Sequence, residues 1–366
     1  MKKKTKLELA QEKMENTIEQ TNIKIDVLGM YAGWLYAKLD CIQLQFDAIR
    51  NVPTEKRIQY ENLKEVRLTW KQEADKIEAD FKDAAVMNVG KAAAGVGAGV
   101  AVAALGPTAA MGIATTFGVA STGTAISSLC GAAATKAALA WLGGGALAAG
   151  GGGMAAGEAF LAMAGPVGWA IAAISLLGSG FFILKANSEK DRLEEVFTLI
   201  SERDTKSYEL AIVELNERIE RIKKDHDLLS EAIRRIQTFG ADYNKMSESQ
   251  QYALGTYVNL MEAATQLLVN PIVGLLPKYS ESDYDEYTSD GAYYEHFRNA
   301  IITFSNLFYK IDLDKKDKEL LARSFRKNND FLSAIEVKKD EINVDLFDSV
   351  DKCLNYKYAQ KVVYGT

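Results

Sequence analysis

The spacing of apolar residues near the start of the chain predicts one long helix. Eleven apolar or small residues between positions 14 and 49 are separated alternately by four and three residues, which is the repeat of a coiled-coil seam. Pro53 ends this helix because proline has no N–H and disfavours helix in the residue before it. The seam consists of Met14, Ile18, Thr21, Ile25, Leu28, Ala32, Leu35, Leu39, Ile42, Phe46 and Ile49.

Two more long helices follow from the same kind of pattern. One is predicted over 54–88, with an apolar stripe formed by Ile58, Leu63, Val66, Trp70, Ile77 and Phe81. The other is predicted over 187–239, and Gly240 is expected to cap its end. Its seam again alternates by four and three: Tyr208, Ile212, Leu215, Ile219, Ile222, His226, Leu229, Ile233 and Ile236. These helices pack side by side to cover their seams.

The last third of the chain is also helical in pattern. Ser247 and Gln250 form a predicted capping box that opens a helix running to Leu268, before Pro271. Further helices are predicted over 292–310, 315–327 and 344–361. The acidic, tyrosine-rich stretch 279–297 is predicted to be a solvated loop, with a partner-docking surface as the alternative. Alternating strand patterns are nearly absent, so the expected fold is all-α.

Between these helices lies an apolar segment almost without charge. Lys136 and Glu158 are the only charged residues between Lys91 and Lys185, and 21 of the 28 glycines lie between Gly90 and Gly180. The chain therefore divides into N-terminal helices (1–86), an apolar head (87–186), a return helix (187–240) and a C-terminal helical region (241–366). The expected architecture is an elongated bundle of heptad helices carrying a Gly/Ala-rich apolar hairpin.

The most apolar stretch of the head, 167–184, approaches the length of about 20 residues that a membrane-spanning helix needs. Trp169 and Lys185 near its ends suit the two membrane interfaces. Charged residues flank the whole head, so both ends stay on one side and the head crosses as a hairpin. The residues expected to insert are Trp141, Glu158, Phe160, Trp169, Ile171, Ile174, Leu176, Leu177, Phe181, Phe182, Ile183 and Leu184.

The apolar segment has three other interpretations. The core of a soluble helical bundle also uses alanine and glycine, and this interpretation stays open. A flexible linker would carry serine or charge rather than valine, isoleucine and phenylalanine. A phosphate-binding loop needs Gly-Lys followed by Ser or Thr, but Ala92 follows Gly90 and Lys91.

Composition removes several other classes of function. The net charge of −6 argues against a nucleic-acid partner, which would need a basic face. Three well-separated cysteines and two histidines give no disulfide framework, metal site or catalytic triad, so we expect no enzyme activity and no cofactor. The lysine-rich start lacks an apolar run, which indicates synthesis in the cytoplasm without a Sec signal.

His226 is the one residue of the predicted seams whose side chain ordinarily titrates near neutral pH. Between Asp225 and Asp227, it is interpreted as a core or edge residue that sets helix register. The alternative is a pH switch, in which protonation places a charge in the seam and loosens the bundle.

The layout of residues 14–86, the apolar 87–184 and helix 187–239 resembles the α-helical pore-forming toxins of the cytolysin A and haemolysin BL type. The resemblance is one of architecture over the first two-thirds of the chain and includes no diagnostic motif. The Gly/Ala-rich stretch 121–157 also resembles a module found in diverse bacterial proteins. This likeness implies a soluble protein that converts to an oligomeric membrane pore, alone or with partner toxin subunits.

The expected function is therefore insertion of the head into a lipid bilayer, whether after secretion or inside a cell. The alternative is a constitutively membrane-anchored coiled-coil scaffold. Glu158 is the most informative position within the head, because an inserted carboxylate must line water, pass the far interface or be neutral.

Overall fold

A computed structural model describes residues 4–68, 72, 187–270, 272–275, 278–279, 281–289, 298–327, 332 and 338–364. These residues are mostly helical and contain no β-strand; one isolated bridge joins Arg50 and Asp242. The prediction of an all-α fold is therefore confirmed for the described part of the chain.

The helices that follow are numbered in chain order. They are α1 (Lys6–Asp47), α2 (54–68), α3 (Asn187–Ile236), α4 (Glu248–Val269), α5 (Glu281–Ser289), α6 (Arg298–Phe308), α7 (Lys315–Phe325) and α8 (Val344–Tyr364). The predicted capping box at Ser247 and Gln250 opens α4. Gly240 lies four residues beyond the end of α3 with a φ of 81°, a left-handed conformation that glycine adopts without strain.

Helices α1 and α3 run parallel along each other. Near the start of α1, the Lys13 ammonium lies 2.8 Å from the carboxylate of Glu209, which is near the middle of α3. Beyond their ends, the Arg50 N–H donates to the Ala241 carbonyl at 2.9 Å, and the Tyr243 N–H donates to the Arg50 carbonyl at 3.0 Å. Because position 13 faces position 209, α3 begins roughly four turns before α1. Those first turns of α3 are left to contact other helices.

The predicted seam of α1 is its buried face. Each seam residue whose side chain is described is less than a tenth exposed, and Ile18 lies outside that set. The buried members are Met14, Thr21, Ile25, Leu28, Ala32, Leu35, Leu39, Ile42, Phe46 and Ile49. Apolar burial against α3 is the main interaction holding these two helices together.

Six of the nine predicted seam residues of α3 are buried, and the buried face departs from the seam at the other three. Ile212, His226 and Ile233 are only partly buried, whereas Ala211 and Ala232 are fully buried. Ala211 lies close to the backbone at Gly274. Both alanines lie one position before a predicted seam residue, so part of the buried face is displaced by one position. A straight helix has 3.6 residues per turn, whereas a four-three alternation repeats every 3.5 residues. The predicted seam therefore turns slowly away from the buried face along a helix that packs against several neighbours.

The predicted stripe of α2 is wrong at two of its three described positions. Ile58 is 50% exposed and Val66 is 43% exposed. The buried positions are Tyr60, Leu63 and Arg67, and Leu63 alone belongs to the predicted stripe.

Helix α2 folds back against the end of α1. The rings of Phe46 and Tyr60 lie 5.3 Å apart, and the Lys64 ammonium lies 3.0 Å from the Asp47 carboxylate. Helix α1 ends at Asp47, six residues before the predicted stop at Pro53. The chain reverses between the two helices, where Asn51 has a left-handed φ of 61° and Pro53 disfavours further helix before it.

A close backbone contact fixes the chain after α4. A Cβ added to Gly274 would lie 2.8 Å from the Cα of Ala211 on α3, so only glycine fits. The Glu214 carboxylate accepts the N–H groups of Val273 and Gly274 at 2.9 and 3.0 Å. Arg218, one turn later, donates to the Asn270 carbonyl at 2.8 Å. Two charged residues of α3 thus satisfy the backbone at this corner.

Helices α5 to α8 form the C-terminal part of the described structure around an aromatic core. The Phe304 ring lies 5.1 Å from that of Phe347 and 5.2 Å from that of Phe325. The first turns of α3 are joined to this part by ion pairs of Glu189 and Arg192 with α7 and its cap. Four apolar residues of these turns are buried: Leu193, Val196, Phe197 and Ile200.

The predicted solvated loop over 279–297 is corrected by the structure. Residues Glu281–Ser289 form helix α5, and the side chains of Tyr279 and Tyr284 are buried. Residues 290–297 lie outside the described set. The tyrosines supply large apolar surfaces, and the Tyr279 hydroxyl finds an acceptor in the Asp283 carbonyl at 3.3 Å.

The two described cysteines are expected to differ in reactivity. Cys41 is exposed, whereas Cys353 is fully buried and burial raises the pKa of its thiol to about 11. Only the thiolate reacts, so a thiol reagent should modify Cys41 rapidly and Cys353 only after unfolding. The measurement is labelling followed by mass spectrometry, on a Cys130→Ser variant. Urea provides the control, and equal labelling of both residues without urea would contradict the packing of α8.

Candidate functional site

The residues predicted to insert into a membrane, from Trp141 to Leu184, lie outside the described residues. Among the described helices, none combines the length and the apolar character that crossing a bilayer requires. The structure does describe the chain on both sides of the apolar segment, up to residue 68 and again from Asn187 onward. These two flanks are the described parts of the chain that lie nearest in sequence to the predicted inserting residues.

The flank before the segment is held by a buried arginine. Arg67 is 1% exposed, although it carries a charge. Its guanidinium donates to the Gln43 side-chain oxygen of α1 at 2.8 Å and to the Thr265 hydroxyl of α4 at 3.4 Å. One side chain thus connects α2 to two other helices.

The surroundings of Arg67 are polar but not strongly charged. Burial lowers the pKa of the guanidinium, while the carboxylates of Asp40 and Asp47 act in the opposite direction. Gln43 in turn donates to the Asp47 carboxylate at 2.9 Å, and Asp47 pairs with Lys64. The Nε atom of Arg67 is buried without a hydrogen-bond partner among the described residues. The network therefore fixes the position of α2, although burying the charged Arg67 side chain costs desolvation free energy.

The flank after the segment is held by ion pairs to α7. Arg192 of α3 contacts both Asp314 and Asp317, and its Nε lies 2.9 Å from the Asp317 carboxylate. Arg323 at the other end of α7 lies 2.9 Å from the Glu189 carboxylate. The first turn of α3 is thus bound at two points to the C-terminal helices.

The acceptors of Arg192 are fixed by the helix cap of α7. Asp314 is the N-cap residue, and its carboxylate accepts the Asp317 N–H at 2.9 Å; the Asp317 carboxylate accepts the Asp314 N–H at 3.2 Å. The Asp317 backbone N–H and the Arg192 guanidinium lower the pKa of Asp314. The hydrogen bonds that Arg192 donates to Asp314 and Asp317 raise the pKa of its guanidinium. The capping box thus presents two ordered carboxylates to the flank.

His226 lies at the edge of the α1–α3 contact rather than inside it. Its side chain is 32% exposed, and Nδ1 lies 3.3 Å from the Asp227 carboxylate. Ile222 and Leu229, one turn to either side, are fully buried. This placement agrees with the edge position considered from sequence, and the pH switch stays a prediction.

From sequence, the charged residues beside the head, which include Glu189 and Arg192, indicate only that both ends stay on one side of a membrane, and nothing singles out Arg67. A signal for the second flank existed, since Asp314 and Asp317 have the spacing of a capping box. No local signal marks Arg67 as buried, because its partners on α1 and α4 are 24 and 198 residues away.

Comparisons with protein-family models, curated proteins and solved structures gave no match for this chain.

Proposed function

We propose that the protein is a non-enzymatic, membrane-inserting α-helical protein whose apolar head, 87–186, enters a lipid bilayer as a hairpin. In this proposal the soluble form is an elongated helical bundle, and several copies, or copies with partner subunits, assemble into a pore. The site residues are those named above between Trp141 and Leu184. The resemblance to cytolysin A and haemolysin BL motivates the same conversion.

The observation that carries the proposal is an apolar segment joined at both ends to one folded polar body. The segment has two charges in 93 residues. Its flanks are held by Arg67 and by Arg192, each through contacts to helices distant in sequence. The described helices also bury a continuous core among themselves. Because the described helices bury their core among themselves, they can keep their fold while the apolar segment moves from water into lipid.

A second apolar face on α1 supports association between copies. It is separate from the face that packs on α3, and its large side chains are about half exposed or more: Ile23 54%, Met30 51%, Trp34 55% and Leu44 65%. Cys41, also exposed, lies on the same face. Helical seams of this kind associate in coiled coils and bundles. We propose that this face joins neighbouring copies in the assembled pore.

Dye release from liposomes tests the proposal. The purified protein is expected to release dye and to become oligomeric and resistant to detergent. Replacing both Ala172 and Leu176 by aspartate should abolish release, because each charge near the bilayer centre costs about 2.5–3.5 kcal/mol on insertion scales. The matched control is Val213→Asp, which places a charge on the body at a position that is 64% exposed and should keep full release.

Two outcomes contradict the proposal or its site. Absence of both dye release and co-flotation with lipid would exclude membrane insertion under the conditions used. Full release by the double aspartate variant would exclude 167–184 as the inserting element. A constitutively anchored scaffold is separated by fractionation, since it would require detergent from the time of synthesis, whereas the proposed protein is recovered without it.

A further inference from the structure

A cavity of about 800 Å³ lies where the middle of α3 meets the C-terminal helices. Its lining includes five cationic side chains and two carboxylates, in a chain whose net charge is −6. The cationic residues are Arg203, Lys206, Lys278, Lys310 and Lys357. A concentration of positive charge in a concave surface attracts anions, because the low-dielectric walls focus the field.

Two of the five cations build the walls. The Arg203 guanidinium donates to the carbonyls of Leu307 and Tyr309 at the end of α6, and to the Asp204 carboxylate. The Lys357 ammonium donates to the Lys278 carbonyl at 2.7 Å and to the Asp283 carboxylate at 2.6 Å. These hydrogen bonds fix α6, α8 and the chain at 278 around the cavity. The positive charges of Arg203 and Lys357 add to the positive electrostatic potential in the cavity.

The other three cations have no ion pair with any residue that the structure describes. Lys206 and Lys310 are exposed, whereas Lys278 is partly buried. Burial lowers the pKa of Lys278; Asp204 opposes this effect, and Arg203, Lys310 and Lys357 add to it. An anion placed among these ammonium groups would offset both the repulsion and the desolvation.

The backbone at Lys310 is held in an unusual conformation. Its φ of 57° is left-handed, which is uncommon for a residue other than glycine. The Lys310 N–H donates to the Tyr358 hydroxyl at 2.7 Å, and the rings of Tyr309 and Tyr358 lie 5.5 Å apart. This turn brings Lys310 back to the cavity mouth. Strained backbone of this kind persists where the surrounding contacts fix it, and it occurs often at binding sites.

We propose that this cavity binds a phosphate-bearing anion through the ammonium groups of Lys206, Lys278 and Lys310. Three ammonium groups match a group that carries two or more negative charges better than they match a single carboxylate. The volume exceeds that of a bare phosphate, and Leu199, Leu210 and Tyr309 in the lining leave room for an organic part. The ligand class is therefore an organic phosphate, either a free small molecule or a lipid headgroup. The proposal does not depend on membrane insertion.

Binding is tested with the full chain and two kinds of probe. Inorganic pyrophosphate is titrated by calorimetry in about 20 mM salt, where screening is weak. Phosphatidylcholine vesicles with and without phosphatidylglycerol are used in co-sedimentation. Pyrophosphate binding alone indicates a free phosphate ligand, and binding to the anionic vesicles alone indicates a headgroup. Either result supports the site if it depends on the cavity lysines.

The decisive comparison uses two double variants with the same change of charge. Lys278→Met with Lys310→Met is expected to weaken binding by about tenfold or more, since it removes two charge-assisted hydrogen bonds. Lys224→Met with Lys245→Met changes two lysines outside the cavity lining and should bind as the unchanged protein does. Circular dichroism confirms that each variant is folded. If the first one is not, Lys206→Met and Lys310→Met, at exposed positions, replace it as separate variants.

Three results would overturn the proposal. One is no binding of pyrophosphate at millimolar concentration together with no co-sedimentation that depends on the cavity lysines. A second is an equal loss in both double variants, which would assign binding to overall charge. The third is unchanged binding in the folded cavity variants.

Discussion

Replacing Arg67 by alanine is expected to lower the free energy of unfolding by roughly 2–4 kcal/mol, as for other large-to-small changes at buried sites. The side chain is 1% exposed, so its removal leaves a cavity where α1, α2 and α4 meet. It also leaves the Gln43 oxygen without its donor at 2.8 Å. The measurement is urea unfolding followed by far-UV circular dichroism.

The control for this prediction separates packing from charge. Arg67→Met keeps most of the volume and removes the buried charge, whose desolvation opposes folding. We expect this variant to lie within about 1 kcal/mol of the unchanged protein, because the lost hydrogen bonds and the relieved desolvation nearly cancel. An alanine variant as stable as the unchanged protein would contradict the burial of Arg67 between the three helices.

Replacing Gly274 by alanine is expected to destabilise the protein by about 1–3 kcal/mol, the usual cost of overpacking. The added Cβ would lie 2.8 Å from the Ala211 Cα and 2.9 Å from its Cβ. Backbone atoms cannot rotate away as a flexible side chain can, so the corner after α4 has to move from α3. That movement would lengthen the hydrogen bonds from Val273 and Gly274 to Glu214. Thermal unfolding of the variant measures the loss.

The matched control is Gly255→Ala on α4. A Cβ at Gly255 meets nothing within 4 Å, and the residue lies inside a helix. Alanine is there expected to stabilise the protein by roughly 0.5–1 kcal/mol, through helix propensity. If the same substitution destabilises the protein at 274 and stabilises it at 255, the close approach to Ala211, rather than the flexibility of glycine, is the reason that 274 requires glycine. Equal signs would contradict the contact with Ala211.

The contrast between α1 and α2 shows why one predicted face was correct and the other was wrong. The α1 seam is repeated over five heptads and faces mainly one partner, α3. A few residues that depart from the pattern would not change which face of the helix is predicted to be buried. Helix α2 is short in the described structure and contacts both α1 and α4. There the hydrogen bonds of Arg67 and the ring contact of Tyr60 turn the helix so that Ile58 and Val66 face outward.

The stretch after position 279 shows a second limit of prediction from sequence, which concerns composition. Its density of acidic residues and tyrosines favoured a solvated loop, but Glu281–Ser289 is helical. The Asp283 carboxylate is paired with Lys357 of α8, and Tyr284 is buried against its neighbours. Lys357 lies 74 residues after Asp283. The burial of Tyr284 depends on how the helices pack. Composition alone could reveal neither contact.

The sequence by itself determined the helical class, the starts of α3, α4, α7 and α8, the capping box at Ser247 and the apolar segment between Lys91 and Lys185. These features depend on residues within a few positions of one another, through helix propensity, capping and periodic burial. The tertiary structure alone decided that Arg67 is buried, that Arg192 meets the cap of α7, and that lysines from α3, the 278 region and the turn after α6 share a cavity. Such contacts join residues far apart in the chain, and their free energy depends on how whole helices pack together.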